Sequence, residues 1–291
     1  MPRVLNYLLS ASLLLAICSH ADAATKKKKS VSKNTADDSS SAPIFDENGA
    51  PVVRAASVYV IEAKTGQVLY QKNAGERRAP ASTQKLLTAL IIAEAGNLDE
   101  PVRVEQIDTE VEPVKLGFKA GEIYTRRELL QVLLVHSTND VARCLARDNA
   151  GSVEAFAGRM NRKAAELGMF ESHFVNPNGL PAPAQYSTAR DMSRIAQAAY
   201  ANRTIRGIVA TKTLAFRYAD GHVRTFENTN RVLKSYPYCN GMKTGYTEAA
   251  GKCLIASGNY GGRDIIAVVL GDKTSTIWKD AYHLLAWGLS I

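Results

Sequence analysis

The sequence predicts a mixed α+β fold in which both ends of the mature chain contribute strands to one sheet, with a helical lobe inserted between them. Two β-prone runs lie near the start, several helical segments fill the middle, and three β-prone runs and a helix close the chain. Strands separated by a block of helices are typical of α+β domains, in which helices pack against an antiparallel sheet.

The first 23 residues carry the pattern of an export signal. Arg3 gives a positive start, Leu8 to Ile17 form a short apolar stretch, and Ala21-Asp22-Ala23 is a cleavage site. The stretch is too short to span a bilayer as a mature helix. We therefore expect residues 1–23 to be a signal peptide, and the mature protein to be periplasmic or otherwise extracytoplasmic without a transmembrane anchor.

Residues 24–50 are rich in Lys, Ser, Asp and Ala. Such a segment cannot bury enough apolar surface to fold, so we expect a disordered linker. Its run from Lys26 to Lys29 supplies four charges of the net +8. This run is either a solvated tail or a segment attracted to an anionic membrane or wall polymer. Residues 51–291 are long enough for a single domain with a sizeable core.

The composition shows no sign of nucleic-acid, metal or cofactor binding. Basic and aromatic residues are not interleaved, and there is no C-x-x-C spacing or histidine cluster. We therefore expect no nucleic-acid partner, no metal and no cofactor. Three cysteines follow the signal: Cys144, Cys239 and Cys253. Their odd number excludes complete internal pairing and leaves open whether any two pair.

The first elements are a hairpin and a helix. Runs 56–61 and 67–72 are β-rich and are separated by turn residues, which predicts a hairpin. Residues 82–95 follow Pro80, carry leucines and isoleucines at helical spacing, and end at Gly96. Ser82 is therefore expected at the N-terminus of a helix.

The middle of the chain is helical. Thr125-Arg126-Arg127-Glu128 is a capping box that opens a helix through Val135. Ser137-Thr138-Asn139 interrupts helical propensity before a second helix over 141–147. Further helices are expected between Gly151 and Gly168 and over 188–200, and the closing strands over 238–247, 252–258 and 264–270 precede a helix over 276–289.

Three short motifs in a fixed order carry the chemistry. They are Ser82-Thr83-Gln84-Lys85, Ser137-Thr138-Asn139 and Lys243-Thr244-Gly245. Each triplet alone is weak, because Ser30-Val31-Ser32-Lys33 and Lys64-Thr65-Gly66 repeat two of the patterns elsewhere. The set becomes specific through the order of the motifs and their expected positions. The first lies at a helix start, the second on a connector between helices and the third on a late strand.

Ser82 and Lys85 have the types and the spacing of a nucleophile and its general base. Residues i and i+3 share a helix face, so the two side chains can meet. Lysine is a base only when neutral, which requires burial, a second cation such as Lys243, or a helix N-terminus to lower its pKa. The backbone N–H of Ser82 can also stabilise an oxyanion.

The third motif lies on an expected strand along which a substrate backbone can dock. Gly245 removes side-chain bulk, Thr244 and Lys243 can hold a carboxylate, and the N–H of Tyr246 can complete the oxyanion hole.

The second motif supplies the remaining roles. Ser137 can relay a proton to the leaving amine. Asn139 can orient Lys85 and hydrogen-bond the substrate amide.

The motifs in their wider context resemble low-molecular-mass penicillin-binding proteins of the D-alanyl-D-alanine carboxypeptidase and endopeptidase family. The resemblance covers the segments Pro80 to Ala89, Asn178 to Leu180, Ser187 to Met192 and Gly241 to Thr247. It implies a β-lactamase/transpeptidase-like fold with a five-stranded antiparallel sheet and an all-helical lobe. It also implies a serine D,D-peptidase that acts on peptidoglycan stem peptides through an acyl-enzyme on Ser82, and that β-lactams inhibit covalently.

Two departures from that family favour one branch. Many of its carboxypeptidases continue into a second domain and a membrane-anchoring helix, whereas this sequence stops at Ile291. They also tend to place an arginine after the strand that here ends at Leu270. Trp278 or a neighbour takes that place, and Lys273 or Lys279 is a possible substitute that lacks the bidentate fork. These features resemble the penicillin-binding protein 7 type and slightly favour a crosslink-cutting D,D-endopeptidase over a carboxypeptidase.

Two other functions stay open at this point. A class A β-lactamase would carry a glutamate in an E-x-x-L-N loop between Asn139 and Lys243, and this region carries Asn176-Pro177-Asn178-Gly179-Leu180 instead. A non-catalytic wall-binding protein on the same fold would be expected to lose part of the set, which is intact here.

Overall fold

The computed structural model describes residues 42–47 and 49–291. The expected signal peptide and most of the expected linker, with the run from Lys26 to Lys29, lie outside the described residues. Inside the segment predicted as linker, residues 45–47, 49 and 50 are held by contacts that extend to Pro51. There Phe45 bridges Pro51, and Asp46 Oδ1 accepts a hydrogen bond of 2.9 Å from the N–H of Ala50.

A five-stranded sheet and two two-stranded sheets contain the strands of the described part of the chain. The strands are β1 (Ser57–Glu62), β2 (Val68–Lys72), β3 (Pro101–Arg103), β4 (Ile123–Thr125), β5 (Thr213–Arg217), β6 (Val223–Glu227), β7 (Cys239–Thr247), β8 (Gly251–Tyr260) and β9 (Arg263–Asp272). The large sheet is antiparallel in the order β2-β1-β9-β8-β7, with β3–β4 and β5–β6 as separate pairs. Because β1 pairs with β9, the two ends of the domain share one sheet.

Helices occupy the region between β2 and β7 and close the chain. They are α1 (Lys85–Glu94), α2 (Arg126–His136), α3 (Asn139–Ala150), α4 (Val153–Glu166), α5 (Ala189–Ala201), α6 (Arg203–Val209), α7 (Val232–Ser235) and α8 (Ile277–Ser290). No helix in the described part is long and apolar enough to cross a membrane.

Both faces of the large sheet are buried, because successive strand side chains alternate between two hydrophobic clusters. On β9, Ile266 and Val268 face the cluster that contains α1, α2 and α5. Ile265 and Val269 face the other cluster, which α8 covers. The sheet is therefore a central layer between the helical lobe and the closing helix.

This architecture confirms the predicted fold class, a five-stranded antiparallel sheet with helices and a helical lobe. Several elements differ from the prediction, since β3, β4, α6 and α7 were not predicted. Ser82 lies on a 3-10 turn over Ala81–Gln84, and α1 begins only at Lys85. The sequence analysis also missed the hairpin β5–β6, although Asp220-Gly221 between alternating apolar residues is a hairpin signal.

The N-terminus of α2 carries the predicted capping box. Thr125 Oγ1 accepts a hydrogen bond of 3.2 Å from the N–H of Glu128, and Glu128 Oε2 accepts one of 2.7 Å from the N–H of Thr125. These contacts satisfy main-chain donors that have no partner inside the helix.

We expect Thr125→Ala to lower the free energy of unfolding by about 1 kcal/mol, because the N–H of Glu128 loses its acceptor. Urea unfolding followed by circular dichroism measures this change. Thr274→Ala is the control, since Thr274 is exposed outside the helices and strands. Equal stability of the two variants would contradict a stabilising role for the cap.

Candidate active site

The first motif forms a pair of side chains in hydrogen-bonding distance. Pro80 precedes the 3-10 turn, and the turn passes directly into α1 at Lys85. This spacing sets Lys85 Nζ 2.8 Å from Ser82 Oγ. The predicted contact between the two side chains is therefore present, on a 3-10 turn that leads into the helix.

Lys85 is fully buried and is surrounded by acceptors. Its Nζ lies 2.7 Å from Asn139 Oδ1 and 2.7 Å from the main-chain oxygen of Asn178. Burial lowers the pKa of Lys85 well below its usual value, and the nearby Lys243 cation lowers this pKa further. The carboxyl group of Asp140 opposes these effects without overcoming them. The neutral amine is therefore favoured, as a general base requires.

The second motif directs its two polar side chains to different lysines. Ser137 ends α2 in the left-handed conformation, with φ of 70°, and Asn139 begins α3. The sharp change of direction lets Ser137 Oγ accept a hydrogen bond of 2.8 Å from Lys243 Nζ, while Asn139 contacts Lys85. The break in helical propensity therefore puts Ser137 beside Lys243 and Asn139 beside Lys85.

The third motif lies on β7, at an edge of the large sheet, as the sequence predicts. Lys243 is buried, and this burial lowers its pKa to about 7. Thr244 Oγ1 lies 2.7 Å from Thr229 Oγ1, and the side chain of Tyr246 is 55% exposed.

Gly245 is the position at which β7 approaches the nucleophile. A Cβ atom there would lie 2.8 Å from the N of Ser82 and 3.0 Å from the N of Thr83, closer than real Cβ contacts. A residue without a side chain is therefore required for the strand to pass beside the turn that holds Ser82.

One groove of about 310 Å³ joins the three motifs. The residues that line it come from the 3-10 turn of Ser82, the loop between β3 and β4, the second motif, the loop after α4, the turn before α7, strands β7 and β8 with the turn between them, and the start of α8. They are Ser82, Pro113, Val114, Ser137, Asn139, Gly179, Leu180, Thr229, Thr244, Gly245, Tyr246, Thr247, Lys252, Cys253, Ile277 and Trp278.

A serine in the groove, in contact with one buried lysine and near a second, agrees with what comparison to known proteins finds. A family model described as D-alanyl-D-alanine carboxypeptidase matches residues 45–274. The chain belongs to the D-alanyl-D-alanine carboxypeptidase family. This confirms the resemblance to low-molecular-mass penicillin-binding proteins and to serine D,D-peptidases.

Individual members of the family differ in name and in length. The D-alanyl-D-alanine carboxypeptidase DacF of Bacillus subtilis is 37% identical over 225 residues, which cover 76% of this chain and 58% of DacF. A D-alanyl-D-alanine endopeptidase of Pseudomonas aeruginosa is 32% identical over 237 residues, covering 79% of this chain and 76% of that protein. The crystal structure of the Streptomyces K15 DD-transpeptidase superposes with a TM-score of 0.79 at 31% identity, covering 83% of this chain and 99% of that one.

The sequence analysis missed three groups at or beside the groove. The main-chain oxygen of Asn178 contacts Lys85 and lies 3.3 Å from Ser82 Oγ, Thr229 contacts Thr244, and Lys252 lines the groove. A main-chain oxygen has no sequence signature. The other two side chains are brought in by the turn before α7 and by the β7–β8 hairpin.

The end of the groove at Trp278 differs from the expectation. Trp278 does line the groove, but the residues that line it include neither Lys273 nor Lys279, which the sequence analysis offered as substitutes for an arginine. Lys252 reaches the groove because its place at the start of β8, paired with Tyr246, puts it beside the third motif.

Another residue singled out in the sequence lies away from the chemistry. Lys64, in the second K-T-G triplet, is exposed and pairs with Asp264 at 2.9 Å.

The cysteine question is answered for the described residues. Cys144, Cys239 and Cys253 are all buried and unpaired, and burial raises the pKa of Cys239 and of Cys253 to about 11. Among the described residues no group of acidic, histidine or cysteine side chains is arranged to hold a metal ion.

The two buried lysines predict a bell-shaped pH dependence of acylation by benzylpenicillin. The rate constant should rise with pH through the lowered pKa of Lys85, since only the neutral amine is a base. It should fall above about pH 7, where Lys243 loses its proton. Stopped-flow measurement from pH 5 to pH 10 tests this shape.

Lys243→Arg separates the two limbs of this profile. Arginine stays protonated across the range, so the alkaline fall should disappear while the acid limb remains. A wild-type rate that still rises at pH 10 would show that protonated Lys243 is not needed.

Proposed function

We propose that this chain is a serine D,D-peptidase that cleaves D-alanyl bonds in peptidoglycan stem peptides through an acyl-enzyme on Ser82. The observation that carries the proposal is the buried amine of Lys85, 2.8 Å from Ser82 Oγ, with a pKa lowered by burial and by Lys243. A serine hydroxyl needs such a base to become a nucleophile at neutral pH.

The contacts of Lys85 fit the neutral amine. A neutral amine has two N–H donors and one lone pair, and three polar groups surround Nζ. In the neutral form the two N–H groups donate to Asn139 Oδ1 and to the Asn178 oxygen, which leaves the lone pair for the O–H of Ser82, whose oxygen lies 2.8 Å from Nζ. Lys85 then takes this proton as Ser82 Oγ attacks the substrate carbonyl carbon.

The oxyanion forms between the 3-10 turn and β7, which approach each other closely at Gly245. The N–H of Ser82 at the 3-10 turn and the N–H of Tyr246 on β7 donate to the carbonyl oxygen as it becomes negative. The close approach at Gly245 supports this role, because it brings the strand alongside the N of Ser82.

Collapse of the tetrahedral intermediate breaks the C–N bond and needs a proton on the leaving amine. Ser137 gives its hydroxyl proton to that amine and takes one from Lys243, whose Nζ donates to Ser137 Oγ at 2.8 Å. Exchange with solvent restores the two lysines. Neutral Lys85 then activates a water molecule that hydrolyses the ester on Ser82.

The family supports a peptidase over the two other functions considered. In place of the glutamate loop of a class A β-lactamase, the segment 176–180 supplies the Asn178 oxygen to Lys85. The contacts among Ser82, Lys85 and Asn139 are complete, which supports catalysis over simple wall binding.

Labelling with a fluorescent penicillin tests the acyl-enzyme. We expect wild type to form a covalent adduct, Ser82→Ala to form none, and Lys85→Ala to be acylated about 10²- to 10⁴-fold more slowly. Intact-protein mass spectrometry measures the adducts.

Ser257→Ala is the matched control, because Ser257-Gly258-Asn259 also reads S-x-N, while Ser257 contacts Asn240 and does not line the groove. This variant should label like wild type. An adduct on Ser82→Ala, or none on wild type, would refute the assigned nucleophile.

We further propose that the leaving-group end of the groove binds a carboxylate next to the scissile amide. Lys252 Nζ lies 4.1 Å from the ring centroid of Tyr246, and Arg231 lies 5.4 Å from that of Trp278. Burial and the charge of Arg231 lower the pKa of Lys252. Two cations that lack an acidic partner in the described part favour an anion here.

A carboxylate-binding site at this end of the groove bears on the cleavage mode. The sequence slightly favoured crosslink cutting because no arginine was found, and Lys252 now provides a cation in the groove. A terminal D-alanine carries the required carboxylate, and so does a crosslink through the D-centre of a diamino acid. We therefore propose that the peptidase accepts both leaving groups.

Paired substrates test the role of Lys252. Wild type should hydrolyse a peptide that ends in D-Ala-D-Ala about tenfold more efficiently, by kcat/KM, than the same peptide ending in D-alaninamide. Lys252→Met should lose most of this preference, whereas Lys273→Met should keep it. No acid preference in wild type would contradict the carboxylate site.

Product analysis on purified pentapeptide monomers and crosslinked dimers then reports the cleavage mode. Release of D-alanine indicates the carboxypeptidase, and conversion of dimers to monomers indicates the endopeptidase. Activity on only one of the two would correct the proposal that both are accepted.

A further inference from the structure

Two buried carboxyl groups meet where β9 ends and α8 begins. Asp272, the last residue of β9, is 5% exposed, and Asp280, in the first turn of α8, is 4% exposed. Their side chains form a hydrogen bond with each other. An ionised carboxylate has no donor, so this contact requires a proton on one of the two groups.

The donors around the pair show which carboxyl group carries the proton. Asp280 Oδ2 accepts hydrogen bonds from the main-chain N–H groups of Arg54, at 2.5 Å, and Ala55, at 3.1 Å. Asp272 Oδ1 accepts hydrogen bonds from the N–H of the next residue and from the hydroxyl of Thr276. Asp272 Oδ2 is buried, and no N–H or hydroxyl donor reaches it within the described residues. A proton on this oxygen, donated to Asp280, gives it the partner that a buried polar atom needs.

This carboxyl pair fixes a segment that forms one wall of the groove. Trp278 lines the groove and lies midway between Thr276 and Asp280. Thr276 donates to one member of the pair, and Asp280 is the other member. A change in the distance between the two carboxyl groups therefore moves the start of α8, and Trp278 with it, relative to β9.

We propose that Asp272 and Asp280 form a pH-sensitive positioning pair for the leaving-group end of the groove. With one proton between them, the pair holds the start of α8 against β9 and keeps Trp278 beside the leaving group. Without that proton, two adjacent carboxylates repel each other in a buried site, and the start of α8 moves away from β9. The effect on catalysis rests on the proposed function, whereas the movement of Trp278 does not.

The surroundings of the pair set the pH range of the change. Burial and the neighbouring Asp280 raise the pKa of Asp272 to about 6, and burial raises the pKa of Asp280. The pair therefore keeps its proton in mildly acidic solution and loses it within about one pH unit on either side of this value.

Other charged and titratable side chains approach the pair from β2, β8, α8 and the segment before the 3-10 turn. Histidine is the type among them that ordinarily titrates near pH 6, so the test must separate it from the carboxyl pair. These side chains belong to Tyr70, Lys72, Arg78, Lys252, Cys253 and His283.

Tryptophan fluorescence reports the position of Trp278. The chain has two tryptophans, and Trp287→Phe removes the other one, which packs on Tyr70. In this background, quenching of Trp278 by acrylamide should increase as the pH rises from 5 to 8, with a midpoint near pH 6. Asp272→Asn should keep the low quenching at every pH, because its amide donates to Asp280 as the protonated acid does. Asp280→Asn should also abolish the transition, because it removes the second negative charge.

Hydrolysis of a peptide that ends in D-Ala-D-Ala reports the effect on the reaction. Lys85 and Lys243 titrate in both proteins, so the ratio of kcat/KM between Asp272→Asn and wild type isolates the pair. We expect this ratio to be about 1 at pH 5 and about threefold to tenfold at pH 8. Asp99→Asn changes an exposed carboxylate that pairs with Arg127, and it should match wild type in both measurements.

The two readouts keep this inference and the proposed function apart. Quenching that stays flat from pH 5 to pH 8 refutes the carboxyl pair. A transition that persists in both Asn variants also refutes it and assigns the change to another group, such as His283. A normal transition with a kcat/KM ratio that stays at 1 refutes the effect on the groove. Wild type that neither hydrolyses the peptide nor reacts with benzylpenicillin refutes the proposed function, while the quenching still decides the movement of Trp278.

Discussion

The burial of two lysine amines in one site is the constraint on which the rest of the structure depends. A pKa of about 7 for Lys243 corresponds to on the order of 5 kcal/mol against its charged form relative to water. Lys85 is buried as deeply and also feels the charge of Lys243. The site therefore favours one protonated and one neutral lysine, as the proposed division into acid and base requires.

The architecture holds this arrangement with parts that are distant in sequence. The 3-10 turn supplies Ser82, the left-handed Ser137 separates two helices, and β7 supplies Lys243 and the glycine that lets the strand approach. Each is a local backbone feature, and together they converge only because the large sheet joins both ends of the domain. The chemistry is therefore a property of the complete sheet.

Sequence analysis predicted the parts of this site that have local signals. The capping box at Thr125, the i to i+3 spacing of Ser82 and Lys85, and the strand at Lys243 are each encoded in a few adjacent residues. It also found the strands of the large sheet and most of the helices in order, because apolar periodicity is local as well.

The features that were missed depend on contacts distant in the chain. The Asn178 oxygen could have come from any residue type, and Lys252 reaches the groove through strand pairing with Tyr246. The start of α1 was placed too early because helical propensity does not separate a 3-10 turn from the α-helix that continues it.

The helical lobe is inserted between β2 and β7, so a change in its length acts on the large sheet as a change in loop length. The entropy needed to close a loop grows only with the logarithm of its length, by about 0.6 kcal/mol for each doubling. Loops of the lobe that do not carry Ser82, Lys85, Ser137 or Asn139 can therefore vary in length at small cost to the sheet. Such loops can diverge among descendants while the reaction itself is inherited unchanged.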